Sequence, residues 1–308
     1  MRAGRAFTSD EAASRGDEVE HMNDALRNTF KTTILLAGLG ALFMAVGGAL
    51  GGTGGVAIGL VIALVFCGGS YWFSDTLAIK AARAQLVTQA DEPRLYAIVE
   101  DLTRRDGMPM PRLYISPEAQ PNAFATGRSP QHAAVCCTHG IMQVLDEDEL
   151  RGVLAHELSH VKNRDILIGS VAASVAMAIT FAARMAMWGA MFGGGGDSEG
   201  GNIFGALAMM ILAPIAAMLI QMSISRSREY QADASGAHLV DDGEPLARAL
   251  EKIEAYVKQV PMNVAPAEAT AYIVNPLTGR QVSFANLFST HPPTAERIQR
   301  LRSGSWRS

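Results

Sequence analysis

Hydrophobic positions gather in four blocks along this chain. Residues 32–50 and 54–73 carry no charge, 166–192 carry only Arg184, and 203–224 carry none and include one proline, Pro214. Each block is close to the roughly 20 residues needed to cross a hydrocarbon core of about 30 Å. The first two read as a transmembrane hairpin with a glycine-rich turn at Gly51, Gly52, Gly54 and Gly55; Tyr71 and Trp72 suit an interfacial belt at its end. The last two read as a second hydrophobic hairpin, in which Arg184 can snorkel from the outer end of its helix.

Between and after the blocks, polar and apolar positions alternate as in a folded domain. Leu95, Ile98, Val99 and Leu102 share one helical face, which predicts a helix over 92–105. A Gly-Met-Pro-Met-Pro break follows, and 113–116, 122–127 and 133–138 read as short strands, the last apolar along its length. Asp146 with Glu149 three residues on forms a capping box, and Leu150, Val153, Leu154, Leu158 and Val161 form the apolar stripe of the helix it starts. A further helix is clearest over 246–257. Residues 1–31 read as a disordered polar tail, with Met22 a second candidate start.

Composition narrows the class. Hydrophobic residues make up 49% and charged residues 18%, against about a quarter charged in soluble domains. That excludes a disordered chain. A net charge of -4 disfavours a nucleic-acid partner. Cys67, Cys136 and Cys137 have neither metal-ligand spacing nor the even count of a disulfide framework. Lys and Arg flank the blocks on one side only (Arg27, Lys31, Lys80, Arg83, Lys162, Arg164, Arg226, Arg228), while the two connecting loops have none. By the positive-inside rule both termini and both polar regions are cytoplasmic.

The capped helix contains His156-Glu157-Leu158-Ser159-His160. Histidines four apart on a helix face the same way, and both imidazoles can reach one zinc ion at about 2.0–2.1 Å. Glu157 is then placed to take a proton from water, the arrangement of metal-assisted hydrolysis. Chance alone produces such a motif in roughly one chain in a hundred of this length, so its surroundings matter. Beyond the fourth block stands Ser227-Arg-Glu229-Tyr-Gln-Ala-Asp233. Glu229 is the candidate third ligand, and Asp233, one turn on, can accept the free ring N–H of His156. A solvated helix start with an Arg–Glu pair is the plainer reading of that second motif taken alone.

The two motifs in this order, separated by a hydrophobic hairpin, resemble the HtpX-type membrane zinc metalloproteases, relatives of the membrane endopeptidases that process CAAX C-termini. Asn122-Ala-Phe-Ala-Thr-Gly127 and Thr290-His-Pro-Pro-Thr-Ala-Glu-Arg297 also look like that family. The resemblance covers about 22–301. It implies one zinc held by His156, His160 and Glu229, with Glu157 as general base and acid. It implies that Asn122, Ala123, Phe124, Ala125 and Thr126 form the edge strand that receives substrate backbone, and that His291 and Arg297 assist the oxyanion. On the residues alone, His291 before two prolines reads as a turn residue and Arg297 as a helix-surface charge.

The expected fold is mainly α and integral to the membrane: a helical zincin domain with a small sheet, a transmembrane hairpin and a second hydrophobic hairpin. The expected division is a tail (1–31), a hairpin (32–74), a first catalytic part (75–165), a second hairpin (166–224) and a second catalytic part (225–308). The expected activity is zinc-dependent cleavage of misfolded or unfolded membrane proteins at the cytoplasmic face of a bacterial inner membrane, with the lipid bilayer as partner. Two rivals stand beside it. One is a CAAX-type endopeptidase, although four spans are few for an enclosed chamber. The other is a transporter or scaffold with structural zinc, which the three-ligand set and the absence of carboxylates within the blocks disfavour.

Overall fold

The computed structural model describes residues 9–166, 226–260, 273–274 and 292–307, with some side chains of the first helix left outside that description. In chain order the elements are α1 (Ser9–Ala81), β1 (Gln85–Leu86), α2 (Pro93–Asp106), β2 (Arg112–Ser116), β3 (Ala123–Thr126), β4 (Ala134–Thr138), α3 (His139–Val144), α4 (Glu147–Lys162), α5 (Arg226–Val240), α6 (Glu244–Gln259) and α7 (Thr294–Arg302). Short 3-10 turns lie at Pro130–His132 and Ser305–Arg307. The architecture is mainly helical with one small sheet, as the pattern predicts.

α1 is helical from Ser9, which corrects the expectation of a disordered tail over 9–31. The acidic Asp10 and Glu11 beside Ala12 and Ala13 favour a helix start, through the macrodipole and through alanine's propensity. α1 is also not straight. Gly52 takes φ +59°, a left-handed turn open to glycine at little cost. On either side the legs run back along each other. A Cβ at Gly48 would lie 2.9 Å from Val56, one at Gly59 would strike the Phe43 carbonyl, and one at Gly40 would meet Ala63 at 3.9 Å. Small residues thus let the legs approach closely, as they do in membrane helix pairs. On the second leg Val56, Ile58, Leu60, Val61, Ile62, Leu64 and Val65 are exposed. Among the described residues no helix is long and apolar enough to cross a membrane. The third and fourth blocks, except Ile166, lie outside the described residues.

The sheet order is β1-β2-β4-β3. β2 and β4 are parallel, whereas β3 runs antiparallel to β4 and forms one edge. Val135 and Cys137 of β4 join the main core with Leu95, Ile98 and Leu102 of α2, Leu154 and Leu158 of α4, and Leu246, Leu250 and Ile253 of α6. Ala134 and Cys136 point the other way, against Ile79 at the end of α1. Two covered faces explain why β4 reads as apolar along its whole length.

The hairpin is fastened to this domain by polar contacts. Asp75 pairs with Arg112 of β2 at 2.6 Å, Ser116 donates to the Ala82 carbonyl at 2.7 Å, and Arg128, just past β3, stacks 4.7 Å over Trp72. The capping box forms as predicted, with Asp146 accepting from the Glu149 N–H and Glu149 accepting from the Asp146 N–H. Glu149 also takes a 2.6 Å contact from Lys252, which ties α4 to α6.

Candidate metal centre

α4 and α5 cross closely at the first histidine. A Cβ at Gly236 of α5 would lie 2.9 Å from the His156 backbone nitrogen, so any larger residue there separates the two helices that carry the site. This contact brings Glu229 and Asp233, two turns or less from Gly236, over the histidine face of α4.

His156 and His160 stack edge to face with ring centroids 4.8 Å apart. The Nε2 of His156 is 3.7 Å from Glu229 Oε2, and the Nε2 of His160 is 3.6 Å from Glu229 Oε1. Ligand atoms of all three residues lie within 4.8 Å of one another. These separations are too long for hydrogen bonds. They are near the ~3.3–3.4 Å edge of a tetrahedron with bonds of about 2.0–2.1 Å. His156 is fully buried, yet its Nε2 has no hydrogen-bond partner among the described residues. A buried nitrogen left so is costly in protein alone and satisfied by a cation. The donor set of two imidazoles and a carboxylate fits zinc.

Each imidazole is held from behind. His156 Nδ1 is 2.9 Å from Asp233 Oδ1, as the spacing predicted. His160 Nδ1 is 3.1 Å from Asp165 Oδ2. Burial opposes the charge of Asp233, but the adjoining Arg297 more than offsets it and holds the carboxyl well below the usual carboxylate range. Burial also opposes a charged His160, and the Asp165 carboxylate, followed by Glu229, still pushes its pKa up to about 9. Below that pH a proton occupies the ring, and a cation bound at Nε2 must displace it. Calorimetry of zinc binding at pH 7 in buffers of different ionisation enthalpy is therefore expected to show about one proton released per zinc. Buffer-independent heats would contradict this.

Glu157 is buried between α4 and the sheet, where its Oε2 accepts the backbone N–H of Ala125 at 3.0 Å. Pairing with β4 explains the contact. Thr138 N–H donates to the Asn122 carbonyl, so antiparallel alternation turns Phe124 and Thr126 toward β4 and leaves the N–H and C=O groups of Ala123 and Ala125 facing outward. The edge of β3 that faces away from β4, unpaired by any strand among the described residues, thus adjoins Glu157. The side chain of Asn122 is engaged elsewhere: its Oδ1 accepts the N–H of Ile273 at 3.0 Å.

Arg297 is 1% exposed, not the helix-surface charge that its sequence context suggests. Its Nε and Nη2 both bind Asp233, at 2.9 and 2.7 Å, and Nη1 reaches the Ile273 carbonyl. Two of its donor groups are therefore committed to Asp233, and this geometry fits bracing of Asp233 better than contact with an oxyanion. His291 lies outside the described residues. Asp165 and the buried Arg228 were not singled out as site residues from the sequence. In the sequence Arg228 reads only as a flanking charge beside Glu229, and Asp165 stands five residues after His160.

Comparison with known proteins agrees with this centre. The model of the family described as "Peptidase family M48" matches residues 89–305. A "Protease HtpX homolog" from Syntrophobacter fumaroxidans is 55% identical over 279 residues, covering 89% of this chain and 98% of the relative. Proteins of the same description from Desulforapulum autotrophicum and Aquifex aeolicus are 53% and 48% identical over 90% and 93% of this chain, and over the same shares of their own lengths. The crystal structure of S. mikatae Ste24p aligns at 19% identity with a TM-score of 0.49, over 91% of this chain and 67% of that one.

Proposed function

Since the chain belongs to peptidase family M48 as an HtpX-type, membrane-associated zinc metalloendopeptidase, we propose that it cleaves unfolded or misfolded membrane proteins at the cytoplasmic face of a bacterial inner membrane. The observation that carries the reading is the contact of Glu157 with the Ala125 N–H, which joins the general base, one residue from a zinc ligand, to the edge strand of the sheet.

His156, His160 and Glu229 would hold zinc, which when bound would supply a Lewis acid that activates water and polarises a carbonyl. Substrate backbone adds along the outward groups of Ala123 and the carbonyl of Ala125 in β3, where main-chain hydrogen bonds bind a peptide with little demand on its sequence. The Ala125 N–H orients the Glu157 carboxylate beside that strand. Glu157 Oε takes the proton of the attacking water and returns it to the leaving amine. Asp233 fixes the ring of His156, and Arg297 acts through Asp233. Against a structural zinc role, a closed site needs a fourth protein ligand, and three groups converge among the described residues.

The exposed apolar side chains of the second leg of α1 support anchoring in lipid. Antiparallel legs bring the flanking basic residues at 27–31 and 80–83 to one end, which supports a cytoplasmic catalytic domain. Two experiments test the proposal. Protein purified in detergent and loaded with stoichiometric zinc is expected to degrade casein, and chelation to stop it; a zinc-loaded protein inert toward every unfolded substrate would refute the activity as drawn. In cells, a cysteine replacing Asp197 is expected to react with a membrane-impermeant maleimide added outside, and labelling only after permeabilisation would overturn the two-hairpin topology.

A further inference from the structure

The second zinc histidine is supported by groups that stand outside the ligand motifs. α4 ends at Lys162, and the chain then turns through Arg164, which has φ +57°. A non-glycine residue in this left-handed region is strained and persists only where its surroundings impose it. Here the turn sends Asp165 back along the helix it has just left. Its Oδ2 reaches 3.1 Å from His160 Nδ1, the nitrogen opposite the one that faces Glu229. Its other oxygen, Oδ1, lies 3.7 Å from Nη1 of Arg228, an ion-pair separation longer than a hydrogen bond, and the Arg228 side chain is 5% exposed. Arg228 directly precedes Glu229 in α5.

The same order of groups occurs twice. Arg297, Asp233 and His156 form one run, and Arg228, Asp165 and His160 form the other. Each places a buried guanidinium behind a carboxylate and the carboxylate behind a ring. We infer that Asp165 and Arg228 are positioning residues for the metal centre: Asp165 holds the His160 ring by its Nδ1, and Arg228 holds Asp165. The two braces hold the rings edge to face with both Nε2 atoms turned toward Glu229. A carboxylate behind a ligating imidazole fixes its orientation and raises its basicity, and losing such a partner lowers metal affinity about 10–100-fold. Arg228 carries a second consequence. Because it shares a helical turn with Glu229, the brace also couples the α5 ligand to the His160 end of α4.

The inference rests on His160 being a ligand, so the experiment carries a control for that. Full-length wild type, His160→Ala, Asp165→Ala, Asp165→Asn and Arg228→Met are prepared metal-free in detergent. Zinc affinity is measured by chelator competition, the visible spectrum is recorded after cobalt substitution, and metal-free thermal unfolding is followed alongside. His160→Ala is expected to abolish stoichiometric binding. If it binds as wild type does, the ligand assignment itself fails. With that control in order, Asp165→Ala is expected to weaken zinc binding 10–100-fold and to shift the cobalt bands, with Asp165→Asn in between because its amide oxygen can still accept from Nδ1. Arg228→Met is expected to move both readouts in the same direction and by less. Affinity and cobalt spectrum unchanged in Asp165→Ala would overturn the inference. Should that variant not fold, Asp165→Asn decides: wild-type affinity and spectrum refute the brace, and a weakened affinity with shifted bands upholds it.

Discussion

Glu157→Gln is expected to lower kcat for an unfolded protein substrate by about a thousandfold, within the range that general acid–base catalysis contributes. Zinc content and KM should stay close to wild type. The substitution conserves volume, and the amide oxygen can still accept the Ala125 N–H that Glu157 accepts at 3.0 Å. What disappears is the group that receives the proton of the attacking water. A loss confined to kcat identifies an interaction made in the transition state. The companion Glu157→Asp should also be slow, for a different reason: the shorter side chain retreats from the strand edge by about one C–C bond, and misplacement of that order costs up to ~10²-fold. A Glu157→Gln enzyme with near wild-type turnover would require another base.

The largest effect on stability is expected at Arg297→Met. Its guanidinium and the Asp233 carboxylate are almost completely buried, at 1% and 6% side-chain exposure, and meet at 2.7 Å. Removing one partner leaves the other charge buried and alone, a change that typically costs 3–5 kcal/mol. For a folded region of this size that corresponds to a melting point lower by roughly 10 °C. Because the folded-state pKa of Asp233 is depressed, the contribution of the pair is complete above the unfolded value near 4. It is lost only as the pH falls further, through the folded pKa. The melting gap between wild type and variant should therefore be constant between pH 6 and 8. Arg297→Met combined with Asp233→Leu should recover most of the stability, since neither charge of the pair is left buried alone, but not the zinc affinity, since His156 Nδ1 has then lost its acceptor. A double variant that regained both would show that the pair serves the fold alone.

Local chemistry was well inscribed in the amino-acid order. The capping box at Asp146 and Glu149, the stripe on α4 and the four-residue spacing of His156 and His160 are short-range features with one physical solution, and each is found as expected. The strands at 113–116, 122–127 and 133–138 emerged from apolar runs bounded by Gly and Pro. The glycine-rich turn of the first hairpin was equally plain, and Gly52 supplies it.

What could not be read depends on partners distant in sequence. Arg297 looks like any cation on a helix surface until Asp233, 64 residues away, is placed against it. The role of Asp165 depends on one left-handed residue, Arg164, whose side chain gives no sign of that conformation. The close crossing at Gly236 was invisible because it requires knowing that α4 lies beneath it. The 9–31 segment, helical from Ser9, read as a tail because polar residues of mixed charge dominate it.

The addition of substrate backbone proposed for β3 would also constrain the proteins that this enzyme attacks. The groups of Ala123 and the carbonyl of Ala125 face away from β4, and a segment already hydrogen-bonded within a helix or sheet has none to offer in return. On that proposal a folded protein would become a substrate only during the moments in which several consecutive residues are detached from their own structure. Where reclosing is faster than cleavage, degradation should track the population of that open form, so each 1.4 kcal/mol by which a protein is destabilised would shorten its lifetime about tenfold. Discrimination between healthy and damaged proteins would then need no recognition of any residue. It would be set by the opening equilibrium of the client and read by a strand that asks only for bare backbone.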